Sequence, residues 1–485
     1  MPPSPTPTSL ADLDAVGTAE LIRRGELSPR EAVDAAIARI EKLDPGVGAV
    51  IHRRFEKARD EAASPSLPRG PFHGVPFLLK DIGGEMGGEP YHAGMRALRD
   101  AKWIAPADSY LTAKLRAAGF VVLGRTNTPE LALLPTTEPE AYGPTRNPWD
   151  TARSAGGSSG GAAAAVAARM VPAAHASDGG GSIRIPASTC GLVGLKVTRG
   201  RNSFGPGLGE RWGGFSAEGV VTHTVRDTAA ILDVTNGPMP GDPYAAAPPA
   251  RPYAQEVGAD PGKLRIGVML CGPRAIAVDP ECLAAARTAA KALEALGHRV
   301  EESYPEALDD PAAPGAFVTV VGANVARALE AWGEKLGRTL TEADVEVLTW
   351  GVAQIARTWP TTRYLQAVEF VHGFGRRVAA WWQGGFDLLL TPAVAEPPPP
   401  LGTFASPSDV PLKGFLRAAP FGAYTSFFNQ TGQPAISLPV HWTAHGLPVG
   451  AQLVAATGRE DLLFRVAAQL EEALPWRGRR APVSA

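Results

Sequence analysis

The sequence predicts an α/β protein layered around a mostly parallel or mixed sheet. Three observations carry that expectation. Short apolar runs of strand length recur at residues 75–79, 120–123, 264–270, 388–390, 435–440 and 450–454. Helical patterns alternate with them, notably over 111–118 and 280–296. The chain has 485 residues and a 45% hydrophobic fraction, enough to bury a large core under both element types.

The elements follow in order. Residues 1–8, Met1-Pro-Pro-Ser-Pro-Thr-Pro-Thr8, read as a frayed tail, and they lack the basic and apolar regions of a signal peptide. A helical pair is expected over about 9–45. In its second helix Ser28 is placed to cap, Pro29 opens the first turn, and Val33, Ala36, Ile37 and Ile40 form one apolar face. That pair is expected to cover a face of the protein or to serve as a homodimer surface. Asp279 is placed to cap the helix over 280–296 and Gly297 to stop it. The Pro/Ala-rich stretch 241–252 reads as a linker between lobes, and Pro397–Pro400 as a stiff loop. With no internal repeat and no shift of composition, residues 9–485 read as a single unit.

Composition excludes several function classes. A formal charge of −2 and a pI near 6.5 leave no electrostatic footprint for nucleic acid or an anionic membrane. Three cysteines, Cys190, Cys271 and Cys282, cannot build a disulfide framework and suit a reducing compartment. The apolar run 162–168 is too short to span a bilayer, so a cytoplasmic protein is expected. His441 and His445 have the spacing of an HxxxH pair. However, Trp442 stands where a zinc-binding helix needs glutamate, and Gly446 and Pro448 mark a turn, so no metal is expected.

The chemistry concentrates in Ser154-Ala-Gly-Gly-Ser-Ser-Gly-Gly-Ala162 and Ala176-Ser-Asp-Gly-Gly-Gly-Ser-Ile-Arg-Ile-Pro186. Two glycine-rich turns, each with serine, flank a small-residue helix. Glycine lets a ligand approach the main chain closely. Gly179, Gly180, Gly181 and Ser182 are therefore candidates to aim backbone N–H groups into one oxyanion-binding concavity. Two rival readings are weaker. Gly157-Ser-Ser-Gly-Gly161 formally matches a nucleophile elbow centred on Ser159, but the residues before it read as turns and loop rather than a buried strand. No GK[ST] follows, which argues against a phosphate loop.

These two loops, with Gly191-Leu-Val-Gly-Leu-Lys196, resemble the signature of the amidase signature family. Gly74-Val-Pro-Phe-Leu-Leu-Lys-Asp81, Phe386-Asp-Leu-Leu-Leu-Thr-Pro392, Gly432-Gln-Pro-Ala-Ile-Ser-Leu-Pro439 and Gly446-Leu-Pro-Val-Gly-Ala-Gln-Leu453 extend the likeness over most of the chain. It is weakest over 241–385. Thr126-Asn-Thr-Pro-Glu130, Pro135-Thr-Thr-Glu-Pro139 and His175-Ala-Ser-Asp-Gly-Gly-Gly-Ser182 point to the branch that contains 6-aminohexanoate cyclic dimer hydrolase. Val197 after Lys196 departs from the family's usual proline and is expected to alter only a local turn.

The resemblance implies a central mixed sheet covered by helices on both faces. It implies a catalytic core over about 70–240, a variable pocket region over 241–385, and further core segments over 386–475. It implies Ser182 as nucleophile, Ser158 after a cis peptide bond as the bridging residue, and Lys80 as base, with no cofactor. Lys80 closes an apolar strand, where desolvation would favour the neutral amine a base must be. Asp178 and Arg184 are expected to hold the turn, with Ser159 supporting it. The implied activity is hydrolysis of a C–N acyl bond in a small or medium amide: a lactam, oligoamide, anilide or carbamate. The alternative is the glutaminase subunit of a glutamyl-tRNA amidotransferase-like complex. Trp332, Trp350, Trp359, Tyr364 and Phe370 are either pocket wall or core, with core favoured. Asn324, Gln430 and the loop over 85–95 are candidates for the entrance.

Overall fold

The computed structural model describes residues 10–485, so the proline-rich tail over 1–8 lies outside it. Among the described residues, eleven strands share one sheet and two more form a small hairpin. In chain order the strands are β1 (Val50–Arg53), β2 (Pro76–Lys80), β3 (Val121–Thr126), β4 (Arg146–Asn147), β5 (Asp150–Ser154), β6 (Ala173–Asp178) and β7 (Val193–Lys196). They continue as β8 (Ala217–Thr222), β9 (Arg265–Val268), β10 (Arg299–Glu302), β11 (Leu388–Pro392), β12 (Ala435–Trp442) and β13 (Pro448–Ala455).

Across the main sheet the order is β1-β3-β2-β6-β8-β7-β12-β13-β11-β9-β10. Strand β2 runs parallel to β3 and β6, and β9 parallel to β10 and β11. The other neighbours are antiparallel, so the sheet is mixed rather than mostly parallel.

Helices cover both faces, and the two-residue period of the strands decides what meets what. On one face Leu78, Val121 and Leu123 pack against helices Pro29–Val47 and Gly160–Ala167. On the other, Phe77, Leu79 and Val122 meet helix Tyr110–Ala117. At the far end Leu388 and Leu390 bury against helices Pro280–Ala295 and Glu460–Ala473, while Leu389 faces helix Thr361–Gln383.

Helix Pro29–Val47 begins as its sequence dictates. The Ser28 side chain accepts from the Glu31 N–H, and the Glu31 carboxylate accepts from the Ser28 N–H. Its apolar stripe, Val33, Ala36, Ile37 and Ile40, is spent on the chain's own sheet. Asp279 caps helix Pro280–Ala295 as expected, and Gly297 follows it at φ +87°.

Two departures matter. Residues 147–154, expected as turns and loop, carry the hairpin of β4 and β5; it is partly exposed and outside the main sheet. The central strands β6, β7 and β8 stood out in no apolar run. The Lys80, Ser158 and Ser182 segments all lie around this central part of the sheet.

Candidate active site

Strand β2 delivers Lys80 at its C-terminal end, after four buried residues. The side chain is itself fully buried. Its Nζ donates to Ser158 Oγ at 2.7 Å and to Ser177 Oγ at 3.0 Å. Burial pushes the amine well below the ordinary lysine value, and the nearby Arg211 charge pushes the same way. Asp178 and Glu218 oppose that shift. The lysine backbone is pinned from both sides: its N–H donates to His175 Nδ1 at 3.3 Å, and Arg125 Nη1 donates to its carbonyl at 2.9 Å.

Ser158 sits in a loop packed against Thr136 and Thr137. The Gly157–Ser158 peptide is cis, as the resemblance implies. A Cβ on Gly157 would lie 2.4 Å from the Thr136 carbonyl oxygen, so only glycine allows this approach. Thr137 Oγ1 donates to the Gly156 carbonyl at 3.0 Å and accepts from the Gly160 N–H at 3.0 Å. The Ser159 hydroxyl turns away toward β6, donating to the Ser177 carbonyl at 3.1 Å and accepting from the Ser177 N–H at 3.2 Å. That orientation, with no buried strand leading into the turn, disfavours the elbow reading.

The second loop leaves β6 at Asp178. The fully buried Asp178 carboxylate accepts from the N–H groups of Gly181 at 2.7 Å and Ile183 at 3.1 Å. Arg184 closes on it with Nε and Nη2, each at 2.9 Å. The remaining guanidinium protons go to the Thr425 carbonyl, Gln452 Oε1 and Asn429 Oδ1 at 2.7–3.0 Å. Arg184 holds the Asp178 carboxyl well below its usual range even though burial works against it. The turn is fastened further where Thr425 Oγ1 donates to the Gly180 carbonyl at 2.6 Å. The Gly181 N–H is therefore committed to Asp178, whereas those of Gly179, Gly180 and Ser182 meet no protein acceptor among the described residues.

Ser182 borders two cavities. The smaller, about 340 Å³, also holds Ser158, Ser177, Gly179 and Arg211. Lys80, Ser158 and Ser182 thus converge on one place from strand end, first loop and second loop. The larger, about 870 Å³, is apolar, with walls from Leu133, Ile185, Trp212, Phe317, Val321 and Phe427.

Of the entrance candidates, Gln430 lines the larger cavity, while Asn324 donates back to its own helix at Val320. Neither the loop over 85–95 nor any of Trp332, Trp350, Trp359, Tyr364 and Phe370 lines either cavity. These aromatic residues pack among the hydrophobic clusters, on the core side of the expectation. Sequence reasoning missed Ser177, Arg211, Trp212, Phe317, Thr425 and Asn429. Ser177 stands in the second loop motif but was given no role there, and Arg211, Trp212, Phe317, Thr425 and Asn429 come from segments that only the fold brings here. His441 pairs with Glu281 rather than turning toward His445.

A family model described as Amidase matches residues 31–464. The chain belongs to the amidase signature family. It is 46% identical over 475 residues to 6-aminohexanoate-cyclic-dimer hydrolase of Paenarthrobacter ureafaciens, with 96% of each chain covered. A solved structure of 6-aminohexanoate cyclic dimer hydrolase superposes with a TM-score of 0.94 at 46% identity, covering 98% of this chain and 99% of that one. A bacterial aryl acylamidase of the amidase signature family superposes at 0.86 with 28% identity, covering 98% and 99%. This amidase signature protein is accordingly a hydrolase acting on C–N bonds, and among its relatives it stands near the cyclic-dimer hydrolases. Among the described residues, no helix is long and apolar enough to cross a membrane.

Proposed function

We propose that this amidase opens an amide by covalent catalysis on Ser182, with Ser158 passing protons between Ser182 and Lys80. The observation that carries the reading is the 2.7 Å contact from the buried Lys80 Nζ to Ser158 Oγ, at a cavity that Ser158 shares with Ser182. A serine hydroxyl attacks a carbonyl only when a base removes its proton. Lys80 can do so because burial favours its neutral form.

In the first half-reaction Ser182 Oγ bonds to the acyl carbon. Its proton moves to Ser158, and the Ser158 proton moves to Lys80. The N–H groups of Gly179, Gly180 and Ser182 receive the charge that forms on the carbonyl oxygen. The Gly181 N–H instead keeps Asp178 in place. Collapse of the tetrahedral species breaks the C–N bond, and the proton returns through Ser158 to the leaving nitrogen. Water then attacks the acyl-Ser182 ester by the same relay run again, which releases the acid and restores Ser182.

The apolar walls of the larger cavity favour a hydrophobic acyl or amine portion over the polar side chain of glutamine. The cyclic-dimer relative supports a lactam or oligoamide as the substrate class. Treatment with a fluorophosphonate tests the nucleophile. Intact mass should show one adduct on the wild type and none on Ser182→Ala. Equal labelling of both proteins would overturn the assignment. Hydrolysis of chromogenic anilides and cyclic oligoamides, with little release of ammonia from glutamine, is expected of the purified chain. The reverse preference would favour the glutaminase reading.

A further inference from the structure

The larger cavity carries a positive charge for which the proposed chemistry has no use. Arg274 lines it from the short turn Pro273–Ala275 after β9, among walls that are otherwise largely apolar. Only its Nη1 meets the protein, donating to the Leu308 carbonyl at 3.3 Å. Nε and Nη2 find no protein acceptor among the described residues, and neither is shut away from solvent. No carboxylate among those residues pairs with the guanidinium. Asp309 is near but already committed: Oδ1 accepts the Arg274 backbone N–H at 2.6 Å and Oδ2 the Tyr304 hydroxyl at 3.0 Å. Burial lowers the Arg274 pKa, and the Asp309 charge opposes that shift. Arginine keeps its proton in such a setting, so the cavity wall holds a cation without a partner. Arg211, on the smaller cavity, differs in having Glu85 at 3.7 Å.

The guanidinium is held in place from two directions. Its carbon lies over the Phe427 ring, 5.3 Å from the centroid, and Phe427 lines the same cavity. The Arg274 backbone has φ +53°, a left-handed conformation rare for a residue with a side chain, and the Asp309 contact fastens it there. Ser182 borders this cavity too, whereas Ser158 borders only the smaller of the two. In the proposed mechanism Ser158 hands the proton to the leaving nitrogen, so the leaving amine belongs on the smaller-cavity side. The acyl portion then extends into the larger cavity, where Arg274 is.

We propose that Arg274 is a specificity-determining residue that binds a carboxylate at the end of the substrate's acyl chain. The inference deepens the reading of Ser182 as nucleophile and rests on it. Nε and Nη2 form one edge of the planar guanidinium, and two parallel N–H groups on that edge match the two oxygens of a carboxylate. Arg184 gives the same edge to Asp178. The apolar walls suit the methylenes of the chain. An ammonium at its end would be repelled, and a methyl would leave the charge unanswered. The substrate class is therefore a monoamide of a dicarboxylic acid, and its hydrolysis would release the diacid.

Mono-para-nitroanilides of straight-chain dicarboxylic acids of increasing length test this, each against a methyl-ended acyl anilide of matching length. At one or more lengths the wild type should prefer the carboxylate. In Arg274→Met the ratio of kcat/KM for carboxylate over methyl should fall about 10- to 100-fold, the usual effect of losing a charged hydrogen-bond partner. The loss should lie in KM rather than kcat, because Arg274 touches no reacting atom. Arg274→Lys should keep part of the preference, and added salt should narrow it in the wild type without moving the methyl series. The melting temperature of Arg274→Met should stay near that of the wild type, since the side chain gives up a single long hydrogen bond. No carboxylate preference at any length, a ratio unchanged in Arg274→Met, or equal losses on both series would overturn the proposal. Labelling of wild type and Ser182→Ala decides the nucleophile separately, so either idea can fail alone.

Discussion

A lysine in water at neutral pH holds its proton and cannot take one from serine. At Lys80 the balance moves toward the neutral amine, because the strand that delivers it is buried on both faces and Arg211 adds a second positive charge nearby. The sign follows. In the proposed mechanism only the neutral amine is active, so kcat/KM should rise with pH through the lowered Lys80 value and fall on the acid side. Arg211→Gln removes one of the pressures on Lys80 and should move the acid limb to higher pH. Lys80→Met should cost about 10²–10⁴-fold in rate at every pH. A pH profile identical in wild type and Arg211→Gln would sink the electrostatic part of this account.

Arg184 illustrates the same scale for stability. Its guanidinium satisfies Asp178, Asn429, Gln452 and the Thr425 carbonyl at once, which a lysine ammonium cannot reproduce. Arg184→Lys should lose about 3–5 kcal/mol in urea unfolding, the usual consequence of breaking a buried pair. Residue types and motifs were enough to nominate Lys80, Ser158, Ser182, Asp178 and Arg184. Ser177 stood in the second loop motif without a role, and nothing in the sequence could nominate Thr425, which meets Gly180 across 245 residues.

At the scale of elements, strands were readable where both faces are apolar, as in β2, β3 and β11. They were not where close packing demands small residues. Strand β6, Ala173–Asp178, carries alanines, histidine, serine and aspartate, which are poor strand formers by composition. It is a strand because β2 and β8 pair with it on either side. The glycine turn after it was legible, and its glycines are unequal. Gly181 has φ +137°, and a Cβ there would sit 2.3 Å from Thr425 Oγ1, which is locked in its own hydrogen bonds. At Gly180 the nearest obstacle is the tip of the Phe317 ring at 3.0 Å, which can yield. Gly181→Ala should therefore lower both melting temperature and activity. Gly180→Ala should keep its melting temperature and lose rate chiefly through the displaced Phe317 and the crowded carbonyl site. Comparable melting-temperature losses in the two variants would contradict this ranking.

At the scale of the whole molecule, the stretch 241–385 was the least readable. Its helices Ala313–Leu336 and Val347–Arg357 pack onto the front of the site through hydrophobic contacts that have no motif. Polar contacts join this cover to the first half of the chain where helix Val347–Arg357 begins: Arg96 Nη2 donates to the Val345 carbonyl at 2.6 Å and the Glu140 N–H to a Glu346 carboxylate oxygen at 2.9 Å. Glu130, buried just before the cavity residues Ala132–Pro135, accepts the Glu346 N–H at 2.6 Å at the start of helix Val347–Arg357. Burial, then the charge of the neighbouring carboxyl, raises Glu130 to about 8; burial chiefly raises Glu346 to about 7. A carboxyl raised in the folded state binds its proton there while the unfolded chain has already lost it. The stabilisation is complete below pH 4.5, declines as pH rises, and is gone above about 8. Glu130→Gln keeps an acceptor for the Glu346 N–H and removes the titration. Its urea midpoint should change less between pH 5 and 9 than that of the wild type. At pH 9 it should exceed the wild type by at least about 1 kcal/mol. Its activity should persist further into the alkaline range. Parallel stability curves across that range would show that this junction does not govern how the cover is held.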